Sequence, residues 1–177
     1  MKTFRLNTSD LRVHIPEISC GDEVLLSGTV YTARDAAHKR ITELIKKGEN
    51  LPFDIKDASV YYAGPTPERE GYVCGSFGPT TSSRMDVYSP LLLDMGLVCM
   101  IGKGPRNDAV KDAIVRNGAI YLCAIGGAGA LAAKCITSLD VIAFPELGCE
   151  SVKRLTFRDF PLVCGIDSKG MSLFDNK

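Results

Sequence analysis

The sequence predicts an α/β fold in which helices flank a mixed sheet, and three observations point there. Short apolar runs alternate with amphipathic segments from Asp22 onward, and glycines end the amphipathic segments. No repeat, charge block or low-complexity linker interrupts that alternation. A chain of 177 residues, 45% hydrophobic and 24% charged, has globular composition and fits one domain over residues 1–177. At that length a core forms without disulfide or metal staples.

Taken in order, Leu6, Leu11 and Val13 stand among polar residues and are expected to add strands ahead of the main pattern, which favours a mixed over a purely parallel sheet. Glu23 to Tyr31 (EVLLSGTVY) reads as a strand, and Thr32 as the N-cap of a helix carrying Ala37, Ile41, Leu44 and Ile45 on one face, stopped by Gly48. Leu97 to Ile101 is a β-rich run, and Pro105 is placed to open a helix with Val110, Ala113 and Ile114 buried and Gly118 as its stop. Ala119 to Ile125 is the next strand, Gly126 and Gly127 its turn, and Ala128 to Cys135 a short helix. Val141 to Phe144 and Phe160 to Ile166 complete the strands, the last closing at Asp167-Ser-Lys-Gly.

Charge excludes some functions. Lys+Arg and Asp+Glu both total 21, so no global field attracts a nucleic acid or an anionic membrane. The N-terminus has no signal-peptide core, and the longest uncharged stretch, Asn117 to Ala133, is short and glycine-interrupted. A soluble, cytoplasmic chain is expected, with no membrane and no nucleic acid among its partners. None of the seven cysteines forms C-x-x-C, so zinc-ribbon and ferredoxin spacings are absent. Cys99, Cys123 and Cys164 sit in apolar runs and read as buried thiols.

In an α/β sheet ligands bind beyond the carboxyl ends of strands, which directs attention to three strand-to-helix loops. The first holds Arg34, a cation in a first helical turn where the dipole disfavours one. It reads either as an anion ligand or as a surface partner of Asp35 or Glu43. The second runs from Gly75 to Asp86 and holds Thr80, Thr81, Ser82, Ser83 and Arg84, a hydroxyl run suited to cradle carboxylate or phosphate oxygens, or simply to cap a helix. The third, Gly102-Lys103-Gly104-Pro-Arg106, lacks the first glycine and the Ser/Thr of a nucleotide P-loop but places a point charge between glycines. His38 lies one turn after Arg34 and reads either as a reachable site group or as a surface histidine; His14 reads as structural. Gly127-Ala-Gly129-Ala-Leu-Ala132 matches a dinucleotide fingerprint, yet too little chain follows for a two-half nucleotide domain. A close helix–strand turn fits it better.

Together, Thr32-Ala-Arg34-Asp-Ala-Ala-His38, Gly78-Pro-Thr80-Thr-Ser-Ser-Arg84-Met-Asp86 and Gly102-Lys103-Gly104 resemble class I fumarate hydratase, in its C-terminal domain or separate β subunit. The L-tartrate dehydratase β subunit is similar. The likeness runs from about Gly21 to Phe174, and the GPTTSSRMD segment is its specific element. The resemblance implies a swivelling β/β/α domain and a hydro-lyase subunit that hydrates fumarate reversibly to (S)-malate, with tartrate dehydration as the alternative. It also implies a [4Fe-4S] cluster acting as Lewis acid on the substrate hydroxyl, held by a partner α subunit in an α2β2 assembly and not by this chain. Carried over by position, Arg34, Arg84 and Lys103 would bind substrate carboxylates, and Thr80 would bind substrate and take the C3 proton. No role is implied for His38. A small dinucleotide-binding module and a non-catalytic interaction module stand as the competing readings.

Overall fold

Seven strands and five helices carry the fold in the computed structural model, which describes every residue except Glu68, Arg69, Tyr72, Gly126, Asn176 and Lys177. The early polar segment supplies one strand, β1 (Thr3–Asn7), and a single helical turn, α1 (Leu11–His14), whose Leu11 is buried and whose Val13 is exposed. Strand β2 (Glu23–Thr32) leads to helix α2 (Asp35–Lys47), which Gly48 ends in the left-handed conformation. Strand β3 (Ser59–Tyr61) is short, and a long connection separates it from α3 (Ser89–Asp94). Then come β4 (Cys99–Gly102), α4 (Asp108–Asn117) stopped by Gly118, β5 (Ile120–Ala124), α5 (Ala128–Cys135), β6 (Ile136–Ala143) and β7 (Val152–Ile166). The Gly126 half of the expected turn after β5 lies outside the described residues; Gly127 adopts a positive φ of 78° at the start of α5. Among the described residues no helix is long and apolar enough to cross a membrane.

The sheet is mixed, with flanking helices. Strands β1 to β5 are parallel neighbours in sequence order. The long β7 runs antiparallel to β5 and β6 on one edge and to β2 on the other, so β2, β3, β4, β5 and β7 close into a ring. Closure hides the edges that an open sheet would leave unpaired. Alternate residues then face two cores. Val60, Met100 and Tyr121 point to the helices α2, α3 and α4, whereas Tyr61, Ile101 and Leu122 point into the ring. Inside the ring, Tyr61, Phe77, Phe157 and Phe160 pack with centroids 4.5–6.0 Å apart, each aromatic pair contributing about 0.5–1.5 kcal/mol beyond burial.

Several element boundaries differ from expectation, and local contacts or exposed polar residues account for four of them. Thr32 is not a helix cap: it is the last residue of β2, its hydroxyl accepting from Lys153 N at 3.0 Å and lying 3.3 Å from Ser151 O. Helix α4 starts at Asp108 instead of Pro105, because Asn107 caps it by accepting from Val110 N at 3.0 Å. The last two strands are longer than their apolar runs. Exposed Thr137, Ser138 and Asp140 sit in β6, and Lys153, Arg154 and Arg158 interrupt the apolar pattern of β7.

Candidate functional site

Because β2, β3, β4 and β5 are parallel, the loops after them gather at one edge of the sheet. Arg34 follows β2, the Thr80–Arg84 segment ends the long connection after β3, Lys103 follows β4, and the start of α5 follows β5. The middle segment behaves as a short extra strand: Thr80 N donates to Tyr62 O at 2.7 Å, Thr81 bridges Lys103 in parallel, and Ser82 N donates to Lys103 O at 3.0 Å. Gly102 permits this approach, since a Cβ there would collide with Ser82 Oγ.

The structure brings all four expected site residues to this edge but gives them different surroundings. Lys103 is exposed, and among the described residues its ammonium makes no ion pair. It lines a cavity of about 470 Å³ with Ser76, Gly78, Pro79, Ile125 and Gly127. Arg84 is also exposed, and its Nε donates to Asp35 Oδ1 at 2.8 Å, which ties the middle loop to the first residue of α2. Arg34, the N-cap residue of α2, pairs with neither Asp35 nor Glu43. Its Nε lies 3.6 Å from Glu150 Oε1 and its Nη1 4.0 Å from Cys149 Sγ. Lys153 fixes that neighbouring loop from below, its Nζ donating to the carbonyls of Gly148, Cys149 and Ser151.

The hydroxyl run divides by burial. Thr81 and Ser83 are exposed, and the Thr80 hydroxyl has no hydrogen bond among the described residues. Ser82 is fully buried and serves the loops rather than a ligand: its Oγ accepts from Lys103 N at 2.9 Å. The Tyr121 hydroxyl lies 2.9 Å from both Ser82 Oγ and Gly104 O, so it donates to the carbonyl and accepts from the serine. No side chain caps the single 3₁₀ turn at Ser82–Met85.

Sequence reasoning missed the pair that joins these loops. Asp86 ends the middle segment and Arg106 ends the lysine loop, and both are buried. Arg106 Nε donates to Asp86 Oδ1 at 2.6 Å, while Asp86 Oδ2 accepts from Asn107 N at 2.8 Å. Arg106 Nη2 donates to Ser89 Oγ at 2.6 Å, and its guanidinium lies 5.2 and 5.0 Å from the rings of Tyr62 and Tyr121. Opposite charges at the far ends of two candidate loops were the available signal, but charge alone does not reveal burial.

His38 is neither a site group at this edge nor a surface residue. It is fully buried, its Nδ1 donating to Arg34 O at 3.0 Å and its ring packed against Tyr62 and Tyr88. Burial pushes its pKa down to about 4, and Nε2 has no partner. It is a neutral packing residue that holds the backbone under Arg34.

The glycine fingerprint is a close turn. A Cβ at Gly129 would collide with Ser76 Oγ, and Phe77 N donates to Gly129 O at 2.9 Å. Helix α5 runs directly into β6, which pairs antiparallel with β7, so no parallel nucleotide-binding crossover forms. Among the described residues no three His, Cys, Asp or Glu side chains converge to hold a metal ion. Cys74, Cys99 and Cys164 are buried, and burial raises the Cys99 thiol to about 12 and the Cys123 thiol to about 11, so Cys99 and Cys123 stay protonated near neutral pH.

With this geometry in view, comparison with known proteins is decisive. A family model described as the fumarase C-terminus matches residues 1–177. The chain belongs to the fumarase C-terminus family. Its relatives are of two lengths. Fumarate hydratase 2 of Leishmania major is 42% identical over 93% of this chain, and the match covers 29% of that protein. The anaerobic class I fumarate hydratase of Escherichia coli is 44% identical over 84% of the chain and 28% of its own length. A putative L(+)-tartrate dehydratase subunit beta of Methanocaldococcus jannaschii is 38% identical over 91% of the chain, and here 86% of the relative is covered. This fumarase C-terminus chain thus spans under a third of the fumarate hydratases it matches and most of the separate subunit.

Proposed function

We propose that this chain is the β subunit of an iron–sulfur hydro-lyase that hydrates fumarate reversibly to (S)-malate, completed by an α chain that holds the [4Fe-4S] cluster. The observation that carries the reading is the gathering of Arg34, Arg84, Lys103 and Thr80 at one sheet edge, with Lys103 in no ion pair among the described residues. A dicarboxylate brings two negative charges, and fixed cations at this edge stabilise both these and the carbanion that develops at C3. Arg84 is held at Nε by Asp35, so its Nη1 and Nη2 form a fork for one carboxylate. Lys103 supplies a point charge, and Arg34 a second guanidinium beside the α2 N-terminus. Thr80 takes the C3 proton when malate is dehydrated. Its oxygen must first shed its own proton, and the single 3₁₀ turn that follows gives it no strong dipole, so that activation is assigned to the α chain.

The reading places an enzyme in the cytoplasm, inactive without its α chain, in an α2β2 assembly. The free thiols of Cys20, Cys99, Cys123, Cys135, Cys149 and Cys164 support a reducing compartment. Tartrate dehydration is the second reading, favoured by the near-full coverage of the Methanocaldococcus subunit.

The test is to pull the tagged chain anaerobically from its native lysate and to assay the eluate with fumarate and with L-tartrate. A larger co-purifying chain with iron and fumarate hydration is expected. Turnover of tartrate alone selects the second reading. A chain recovered with its partner, loaded with iron and inert to both substrates, overturns the hydro-lyase reading.

A further inference from the structure

We infer that Asp86 and Arg106, with Tyr121 and Ser82, are positioning residues of the substrate site: they hold the Lys103 loop and the Thr80–Arg84 loop in one register. The inference rests on the proposed function and extends it to buried residues to which that reading gives no contact with substrate.

The two loops carry Thr80, Arg84 and Lys103, and within the described residues two linkages cross between them besides the short ladder. The first is the ion pair. Arg106 Nε to Asp86 Oδ1 is 2.6 Å, Asn107 N to Asp86 Oδ2 is 2.8 Å, and the two side chains are 0% and 7% exposed. Both Asp86 oxygens thereby reach the lysine loop, while Arg106 returns to the segment after the middle loop through Ser89 Oγ at 2.6 Å. The second is the hydroxyl relay Lys103 N to Ser82 Oγ to Tyr121 to Gly104 O, each step 2.9 Å. The linkages are joined, because the Tyr121 ring lies against the Arg106 guanidinium at 5.0 Å.

A buried ion pair is a poor way to gain stability. Desolvating both charges offsets most of their attraction, and apolar residues of similar volume are often as good. What the pair does supply is direction. Its hydrogen bonds are satisfied at one relative placement of the loops, whereas an apolar contact tolerates sliding. Reacting groups need that restriction, since a misplacement of about 1 Å can cost roughly 10²-fold in rate.

The test compares Tyr121→Phe, Asp86→Asn and Lys103→Ala in the assembled, iron-loaded enzyme, reading kcat per loaded site, KM and the unfolding midpoint. Tyr121→Phe keeps the packed ring and removes only the relay. Asp86→Asn keeps an acceptor for Asn107 N and removes the charge. Both are expected to assemble and to lose about 10–100-fold in kcat per loaded site, with KM changing by less than about threefold; Asp86→Asn also lowers the unfolding midpoint, because it leaves the buried Arg106 charge uncompensated. A purely structural role would lower the unfolding midpoint and leave kcat per loaded site at the unmutated value, and that result overturns the inference. Lys103→Ala separates the two levels of the reading. If it abolishes turnover while Tyr121→Phe and Asp86→Asn turn over normally, the positioning role fails and the site assignment stands. If Lys103→Ala is itself active, the site assignment fails and the positioning role falls with it.

Discussion

Two arginine–aspartate pairs stand within a few residues of each other and behave as opposites. Arg84–Asp35, at 2.8 Å, has side chains 53% and 30% exposed; Arg106–Asp86, at 2.6 Å, has side chains 0% and 7% exposed. The exposed pair is weak because water competes for both charges, so its arginine can share or exchange its partner for a substrate carboxylate at little cost. The buried pair has no such competitor, and leaving either member alone strands a charge in the core. The difference teaches how one short segment performs two tasks. Exposure makes Arg84 available to a ligand, and burial makes Asp86 a fixed anchor two residues away.

The largest effect that would break this comparison is on the buried side. Arg106→Ala is expected to cost about 3–5 kcal/mol of stability by leaving Asp86 uncompensated, read from denaturant midpoints. An unchanged midpoint would put the two pairs in one class. Next comes the ligand side. Arg84→Ala or Lys103→Ala is expected to lower turnover of the assembled enzyme by roughly 10²–10³-fold with assembly and unfolding midpoint intact. Near-normal kinetics in both variants would remove the site assignment.

A third prediction concerns the buried histidine beside Arg34. Its folded pKa of about 4 lies below the ordinary 6.5, so the unfolded chain takes up a proton first as pH falls. The neutral ring therefore withdraws stability from about pH 6.5 downward, and the loss is complete below about pH 4, on the order of 3 kcal/mol in total. His38→Gln should flatten the stability profile across that window; parallel profiles for the two proteins would contradict a buried neutral ring. The smallest effect is at the exposed pair. Asp35→Asn is expected to change stability by less than about 1 kcal/mol. It should nonetheless raise KM several-fold, because Arg84 loses the carboxylate that orients its Nε. A KM unchanged in that variant would show that Asp35 does not orient the fork.

Much of this was legible in the sequence. Strand β2, helix α2 with its Gly48 stop, helix α5 and the strand core of β5 follow from apolar periodicity and glycine punctuation, which are local properties. The loops holding Arg34 and Lys103 were legible for the same reason, since each follows an apolar run, whereas the loop with Thr80 and Arg84 stood out by its hydroxyl residues and the short strand β3 before it gave no signal. The first part of edge strand β6 and the first half of β7 were not legible, because their polar and charged residues face outward and blur the pattern. Within the hydroxyl run, four similar residues gave no hint that Ser82 alone would be buried under Lys103.

The sequence by itself determined the alternation of strands and helices and the chemical content of the loops after them, because those depend on residues close along the chain. Tertiary structure alone decided which charges would be buried, which arginine would stay open to a ligand, and that β7 would close the sheet onto β2. Burial and pairing are properties of neighbours brought together across long stretches of chain. The same Asp or Arg becomes an exchangeable surface charge or a fixed internal anchor according to how much water that packing removes from it.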